Sequence, residues 1–163
     1  MNQMEIRPIA PSDNAELAKV IRRVLLEFDV PRTGTAYADP ELDRMYETYK
    51  TSQSQYWVVV NGDKVVGGAG VAPLQEGPAE ICELQKMYFD PSARGVGLGA
   101  NMMRTCLDFA QKQGFKKVYL ETLPQMVAAQ KLYAKFDFNA LPNALGNTGH
   151  CNCSVWMLKE IDA

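Results

Sequence analysis

The sequence lacks a long apolar run and a basic tract. It is also poor in histidine, because His150 is the single histidine among its 163 residues. A bilayer span needs about 20 consecutive apolar residues, and the first residues have no apolar core of signal-peptide length. We therefore expect a cytoplasmic protein without membrane association. The net charge is −2 at pH 7, and no basic tract is long enough to hold a phosphate backbone, so we expect no nucleic-acid partner.

Cysteine is also scarce, and its placement argues against a structural metal. The four cysteines are Cys82, Cys106, Cys151 and Cys153, which we expect to be reduced thiols. His150 brings a third potential ligand to the last two, but no second ligand cluster completes a tetrahedral site. We therefore predict no metal and favour an interpretation in which Cys151 and Cys153 pack on one face of a strand.

Internal repeats are absent, and the hydrophobic pattern alternates strands with helices. With 47% hydrophobic and 22% charged residues, the chain suits one core, and we predict a single domain over residues 1–163. The fold class is α/β, or α+β by strand direction, with a mixed central sheet of about six to seven strands flanked by helices. We predict strands at 4–9, 56–60, 64–71, 79–89, 117–121, 138–141 and 153–159, and helices at 17–28, 41–50, 98–110 and 125–136.

Three alternating glycines are the most informative feature that is present. Gly95, Gly97 and Gly99 follow Arg94 and precede a helix-forming run. Glycines allow successive amide N–H groups to converge on an anion, and the helix adds the positive end of its dipole. This pattern predicts a loop that binds phosphate groups of a nucleotide-like ligand.

Two nucleotide-binding motifs fit this loop less well. A P-loop ends in Gly-Lys-Ser/Thr, whereas Gly99 is followed by Ala100 and Asn101. A dinucleotide fingerprint matches on paper, with Glu121 as the acidic residue about twenty positions later. In that fingerprint the first glycine comes directly off a strand, whereas here residues 90–93 intervene. The dinucleotide interpretation remains the weaker alternative.

Two ordered segments resemble the GNAT superfamily of N-acetyltransferases. Residues 84–99, LQKMYFDPSARGVGLG, are similar to its acetyl-CoA signature, and residues 129–138, AQKLYAKFDF, to its downstream A-x-x-L-Y-x-K-x-G-F segment. The resemblance covers nearly the whole chain by element order and is specific over 80–138. It implies that the strands at 79–89 and 117–121 splay apart and that pantetheine enters between them.

This chain departs from the family pattern at two positions. Met126 stands where the family often has asparagine, which removes one polar contact to the cofactor. Asp137 replaces the glycine before Phe138. If that position has a positive φ, aspartate is among the few other residues that tolerate it, so the turn is retained.

The resemblance also assigns residues to the co-substrate acetyl-CoA. The strand before the loop would hydrogen-bond pantetheine, the loop amides would hold the pyrophosphate, and the arginine would add charge or simply face solvent. The cofactor-binding candidates are Met87, Tyr88, Phe89, Arg94, Gly95, Val96, Gly97, Leu98, Gly99 and Ala100.

The catalytic candidates follow from the same resemblance. Tyr133 falls on the tyrosine that protonates the leaving thiolate in many members, although an aromatic on a helix also suits core packing. Glu83 falls where some members place the base, which requires burial to raise its pKa; Glu80 is the reserve. His150 and Arg32, together with Glu83, are the acceptor-binding candidates. An imidazole titrates near neutrality, so His150 is also the rival candidate for the base, and Arg32 would pair with an acceptor carboxylate. A solvated loop residue is the more common alternative for each of these two.

We therefore predict an acyltransferase that moves an acetyl group from acetyl-CoA to the primary amine of a small, amino-acid-like acceptor by direct attack in a ternary complex. A catalytically weak acyl-CoA-binding sensor and a protein N-acetyltransferase are the alternatives. A homodimer is retained as a hypothesis.

Overall fold

Seven strands form one mixed sheet in a computed structural model that describes residues 3–161. Their order is β1-β2-β3-β4-β5-β7-β6, and the predicted α/β fold class and strand number are confirmed. The strands are β1 Met4–Pro8, β2 Gln55–Asn61, β3 Lys64–Pro73, β4 Ile81–Phe89, β5 Lys117–Thr122, β6 Asn139–Leu141 and β7 Val155–Glu160. The helices are α1 Asn14–Glu27, α2 Met45–Thr48, α3 Leu98–Lys112 and α4 Val127–Lys135. None of these helices has the length and apolarity that a bilayer crossing requires.

The sheet is buried on both faces, as the alternation in β2 shows. Trp57 and Val59 pack into a cluster with α3, whereas Val58 and Val60 pack into a second cluster with α1. Successive side chains of a strand point to opposite faces, so one strand serves both cores.

Asp13 directly precedes α1, and its carboxylate accepts from Ala10 N and the Arg7 guanidinium. Two local predictions need correction. The predicted helix at 41–50 is a 3₁₀ segment, Pro40–Arg44, followed by the single turn of α2. The last strand begins at Val155, not at position 153.

The central strands β4 and β5 separate after a short parallel pairing. They pair at Ile81 with Lys117, Cys82 with Val118 and Glu83 with Tyr119, after which no pairing continues. The predicted splay is therefore present, and beyond Glu83 the edge of β4 that faces β5 has no pairing with it.

A β-bulge in β4 lies beside this gap. The register with β3 shifts between Gly68 and Gly70, and Lys86 adopts a positive φ of 48°. The hydroxyl of Tyr56 donates a hydrogen bond of 2.7 Å to the Lys86 carbonyl. The bulge is thus fixed from β2, and it directs the backbone after it toward the gap.

Candidate active site

The glycine loop has an open backbone that can receive an anion. Gly95 and Gly97 have φ values of 74° and 84°, and no heavy atom lies within 4 Å of the position that a Cβ would take at either. At Gly99 the constraint is packing, because a Cβ at this position would lie only 3.2 Å from Leu132 Cδ2. Leu98 begins α3 directly after Gly97, so the first N–H groups of the helix point into this opening.

An apolar cavity of about 240 Å³ adjoins the loop. The second half of β4 forms one side of this cavity and α4 forms the other. Its lining includes Met87, Tyr88, Phe89, Arg94, Gly95, Gly99, Met126, Leu132 and Tyr133. The cavity therefore joins seven cofactor-binding or catalytic candidates, whereas Val96 is 63% exposed to solvent.

Arg94 is held within the protein. Its guanidinium makes two hydrogen bonds to the Glu27 carboxylate, at 2.7 and 2.9 Å, and its Nε donates to the Phe89 carbonyl at 2.9 Å. It also lies 5.2 Å from the centre of the Phe28 ring. These contacts connect the glycine loop to α1 and to the end of β4, so Arg94 shapes the loop as well as lining the cavity.

A second, smaller cavity of about 40 Å³ lies where β4 and β5 part. Tyr88 and Met126 line both cavities, which are therefore neighbours. The polar side chains around the small cavity are Thr35, Glu83, Gln85, Lys86, Glu121, Thr122, His150 and Cys153. The apolar cavity beside the glycine loop, hereafter the apolar channel, thus adjoins a polar chamber.

Glu83 is the buried carboxyl of this chamber. Only 5% of the residue is exposed, and its Oε1 accepts a hydrogen bond of 2.6 Å from Gln85 Nε2. Burial raises the pKa of Glu83 to about 7, Gln85 opposes that rise, and the Glu121 carboxylate adds to it. A carboxyl that titrates near neutrality can accept a proton from an amine and release it again. Glu80, the reserve candidate, is exposed.

The prediction from sequence missed an ion cluster that closes the chamber. The Asp39 carboxylate lies 2.9 Å from Lys86 Nζ and 2.7 Å from His150 Nε2. Burial opposes ionisation of Asp39, but the two cationic partners outweigh it and lower its pKa. Burial likewise lowers the pKa of His150, and Asp39 raises it by more. The pKa of His150 is therefore raised, which favours its protonated form and suits a structural or acceptor-binding role better than that of a base.

Replacing Asp39 with asparagine should destabilise the protein by about 3 kcal/mol. The change leaves the buried Lys86 ammonium with only the more distant Glu41 carboxylate, at 3.4 Å, and removing one partner of a buried ion pair costs about 3–5 kcal/mol. Urea unfolding measures the loss. Asp43→Asn is the control, because Asp43 pairs with Arg22 at the surface and should cost less than about 1 kcal/mol. Equal losses would contradict the assigned role of Asp39.

Tyr133 both packs in the core and faces the channel. Its ring lies 6.0 Å from that of Phe138, and burial raises the pKa of its hydroxyl, which keeps the proton available for donation. No hydrogen bond among residues 3–161 engages this hydroxyl, and the side chain lines the gap between β4 and β5. Packing and proton donation are compatible here.

The turn after α4 fixes the position of Tyr133. Asp137 has a φ of 66°, so the predicted retention of this turn by aspartate is confirmed. The Phe138 amide donates to the Tyr133 carbonyl at 3.1 Å, a hydrogen-bond pattern that closes a helix C-terminus.

Met126 immediately precedes α4, and it lines both cavities.

Three further residues singled out in the sequence, Arg32, Cys151 and Cys153, differ in their placement. Arg32 is exposed, with its guanidinium 5.4 Å from the centre of the Tyr37 ring, and does not line the chamber. Cys151 is exposed and Cys153 half-buried, and both precede β7, so the prediction that they pack on one strand face is wrong. Among the described residues, no group of three or more His, Cys, Asp or Glu side chains is arranged around a common metal position.

Comparison with known proteins agrees with this geometry. The model of the acetyltransferase (GNAT) family matches residues 22–138. The chain is 42% identical over 157 residues to the uncharacterized N-acetyltransferase YjgM of Escherichia coli, covering 96% of this chain and 94% of that protein. It is 37% identical over 87 residues to N-acetyltransferase 8B of Rattus norvegicus, covering 52% of this chain and 39% of that protein.

Solved structures share the fold over the whole chain. An acetyltransferase of the GNAT family from Staphylococcus aureus aligns with a TM-score of 0.86 at 20% identity, over 98% of this chain and 100% of that one. The putative acetyltransferase YncA of Salmonella typhimurium, solved with its cofactor acetyl-CoA, aligns with a TM-score of 0.76 at 18% identity, over 99% of this chain and 95% of that one.

The sheet formed by the described residues has one parallel pair of strands, unlike the parallel sheet of a dinucleotide-binding domain. The chain belongs to the acetyltransferase (GNAT) family and is an acyltransferase.

Proposed function

We propose that this protein, as one N-acetyltransferase domain, transfers an acetyl group from acetyl-CoA to the primary amine of a small-molecule acceptor by direct attack in a ternary complex. The observation that carries the proposal is a buried carboxyl, Glu83, at the polar end of an apolar channel whose other end is a glycine loop. An anion-binding loop and a proton-accepting group, both needed for this chemistry, thus lie in adjoining cavities.

The loop and the channel fit acetyl-CoA. The open positions at Gly95 and Gly97 leave room for phosphate oxygens beside the N-terminus of α3, and the apolar channel suits a pantetheine arm. The edge of β4 that faces the gap has no β5 partner beyond Glu83, so the backbone of Met87 and the Phe89 N–H are placed to bond the amides of that arm, whereas the Phe89 carbonyl accepts from Arg94. When bound, acetyl-CoA supplies an electrophilic thioester carbonyl and a thiolate leaving group.

The polar chamber supplies the proton chemistry. Glu83 accepts the proton that the attacking nitrogen gives up, because a carboxyl with a pKa of about 7 is largely ionised just above neutrality and still basic enough to act. Tyr133 donates a proton to the departing sulfur. The amine N–H bond and the thioester C–S bond break, an amide C–N bond forms, and the sulfur leaves as a thiol.

Tyr133→Phe should lower kcat by roughly 10² with little change in acetyl-CoA affinity, because the variant loses the proton donor and keeps the ring. Steady-state kinetics and calorimetric titration with acetyl-CoA measure the two quantities. Tyr37→Phe is the control, since Tyr37 packs under Arg22 and Arg32 and does not line either cavity. A kcat near the wild-type value in Tyr133→Phe would leave Tyr133 with a packing role only.

Thioester-dependent CoA release with a panel of amines tests the function itself. The panel contains amino acids, amines without a carboxylate and lysine-containing peptides, each with acetyl-CoA. Turnover with a small amine supports the proposal, and turnover confined to peptides would indicate a protein N-acetyltransferase. Tight acetyl-CoA binding without turnover on any of them would indicate an acyl-CoA sensor.

A further inference from the structure

A chain of two short hydrogen bonds ends at Glu83. The Tyr49 hydroxyl donates to Gln85 Oε1 at 2.5 Å, and Gln85 Nε2 donates to Glu83 Oε1 at 2.6 Å. Glu83 and Gln85 are two positions apart on β4, so both side chains emerge from the same face of the sheet. Gln85 therefore lies between the carboxylate and a tyrosine from another part of the fold.

Tyr49 is rigidly held at the outer end of this pair of hydrogen bonds. The residue is buried directly after α2, and its ring lies 5.2 Å from that of Tyr56. Tyr56 is itself fixed by the hydrogen bond to the bulge carbonyl of Lys86. The Tyr49 hydroxyl thus has a fixed position from which to bond Gln85.

The two hydrogen bonds define the orientation of the Gln85 amide. An ionised carboxylate only accepts hydrogen bonds, so it requires the NH₂ side of the amide, and the carbonyl side then accepts from the Tyr49 hydroxyl. The flipped amide would need a protonated Glu83 as donor and the Tyr49 oxygen as acceptor. The orientation found here is therefore the one that pairs with the carboxylate form of Glu83.

We propose that Gln85 is a positioning residue for Glu83: its amide, oriented by Tyr49, holds the carboxylate in the chamber in its proton-accepting form. The inference rests on the proposed function, because it assigns a task within the same acetyl transfer. In this role Gln85 acts through Glu83 and not on the reacting atoms.

The charges around Glu83 show why such support matters. Burial raises the pKa of Glu83, and the Gln85 hydrogen bond is the largest influence that lowers it. Glu121 on β5 raises it further, whereas Lys86 on β4 and His150 in the late loop lower it. The other titratable groups near this face are Tyr49, Tyr119 and Cys153. Without Gln85, Glu83 would remain protonated to a higher pH.

The pH dependence of kcat tests the proposal. In Gln85→Leu the midpoint of the acidic limb should rise by about one pH unit or more, because a hydrogen bond to a charged group is lost. At pH values above the new midpoint, kcat should return to within a few-fold of wild type. Tyr49→Phe should move the midpoint in the same direction by less. Gln55→Leu and Tyr46→Phe are the matched controls on β2 and α2. The Gln55 amide donates to the Tyr56 carbonyl and the Tyr46 ring centre lies 5.1 Å from Lys50 Nζ, so each variant loses the same kind of group without removing either of the two hydrogen bonds.

A carbon-13 NMR titration of the glutamate carboxyls in the protein alone provides a readout independent of turnover, with the Glu83 signal assigned by its loss in Glu83→Gln. An upward shift of the Glu83 midpoint in Gln85→Leu supports the proposal. An unmoved midpoint, or a kcat reduced equally at all pH values, would overturn it. A shifted NMR midpoint beside an unshifted kinetic limb would instead uphold the Gln85–Glu83 pairing and contradict Glu83 as the base of the proposed function.

Discussion

Gly97→Asp is expected to weaken acetyl-CoA binding by at least about 100-fold while the fold survives. Aspartate tolerates a positive φ and is a favoured N-cap residue, so α3 can still begin at the same place. Its carboxylate, however, would occupy the N–H groups of the loop and repel the pyrophosphate. Calorimetric titration with acetyl-CoA measures the affinity, and circular dichroism checks the fold.

Gly114→Asp is the matched control for this experiment. Gly114 follows the other end of α3, has a φ of 88° and likewise has no heavy atom within 4 Å of a Cβ. The same backbone strain and the same charge are therefore introduced away from the loop, and acetyl-CoA affinity should be retained. Unchanged affinity in a folded Gly97→Asp protein would show that the loop does not hold the phosphates, and tighter binding of NADH than of acetyl-CoA would favour a dinucleotide ligand.

Glu83→Gln is expected to lower kcat by roughly 10² or more, because the amide keeps the shape but cannot accept the proton. In the wild type the rate should rise with pH through an apparent pKa of about 7, since the ionised form is the active one. That acidic limb should vanish in the glutamine variant. pH-dependent steady-state kinetics with the acceptor identified by the amine panel make the measurement.

His150→Ala separates the rival base from Glu83. Because Asp39 raises the pKa of His150, this variant should mainly raise the acceptor KM and should keep the acidic limb. A limb that persists in Glu83→Gln and disappears in His150→Ala would reverse the assignment. Persistence in both variants would indicate that the amine itself is titrating.

The variant Glu83→Gln should also be more stable than the wild type at alkaline pH. The pKa of Glu83 is about 7 in the folded protein against an ordinary value of 4.5, so between these values the folded state binds more protons than the unfolded state. Stability from this group is therefore lost as pH rises through that window. Above it, Glu83→Gln should gain on the order of 1–3 kcal/mol in the free energy of unfolding, which urea unfolding at pH 6 and pH 9 would measure.

The glycine loop and the order of elements could be predicted because they depend on residues close together in sequence. The positive φ values at Gly95, Gly97 and Asp137 follow from which residues tolerate that conformation. The alternating and helical hydrophobic patterns fixed most strands and helices to within a few residues. These same local patterns carried the resemblance to the family.

The chemistry of the chamber could not be predicted in the same way, since it depends on contacts between distant segments. Asp39 and His150 are 111 positions apart, and Tyr49 and Gln85 are 36 apart. Arg32 and Cys151 looked comparable to His150 in sequence, yet the fold left both exposed. No local pattern distinguishes a charged loop residue that will be buried from one that stays in water.

The sequence by itself thus determined the family, the sheet and the backbone that can receive phosphate groups. Only the tertiary structure decided which carboxyl can act as a base, because a pKa depends on burial and on charges brought together from several elements. Glu83 differs from the other acidic residues of this chain in its position: it lies at the last paired residue before β4 and β5 separate, enclosed by the fold and still open to the chamber.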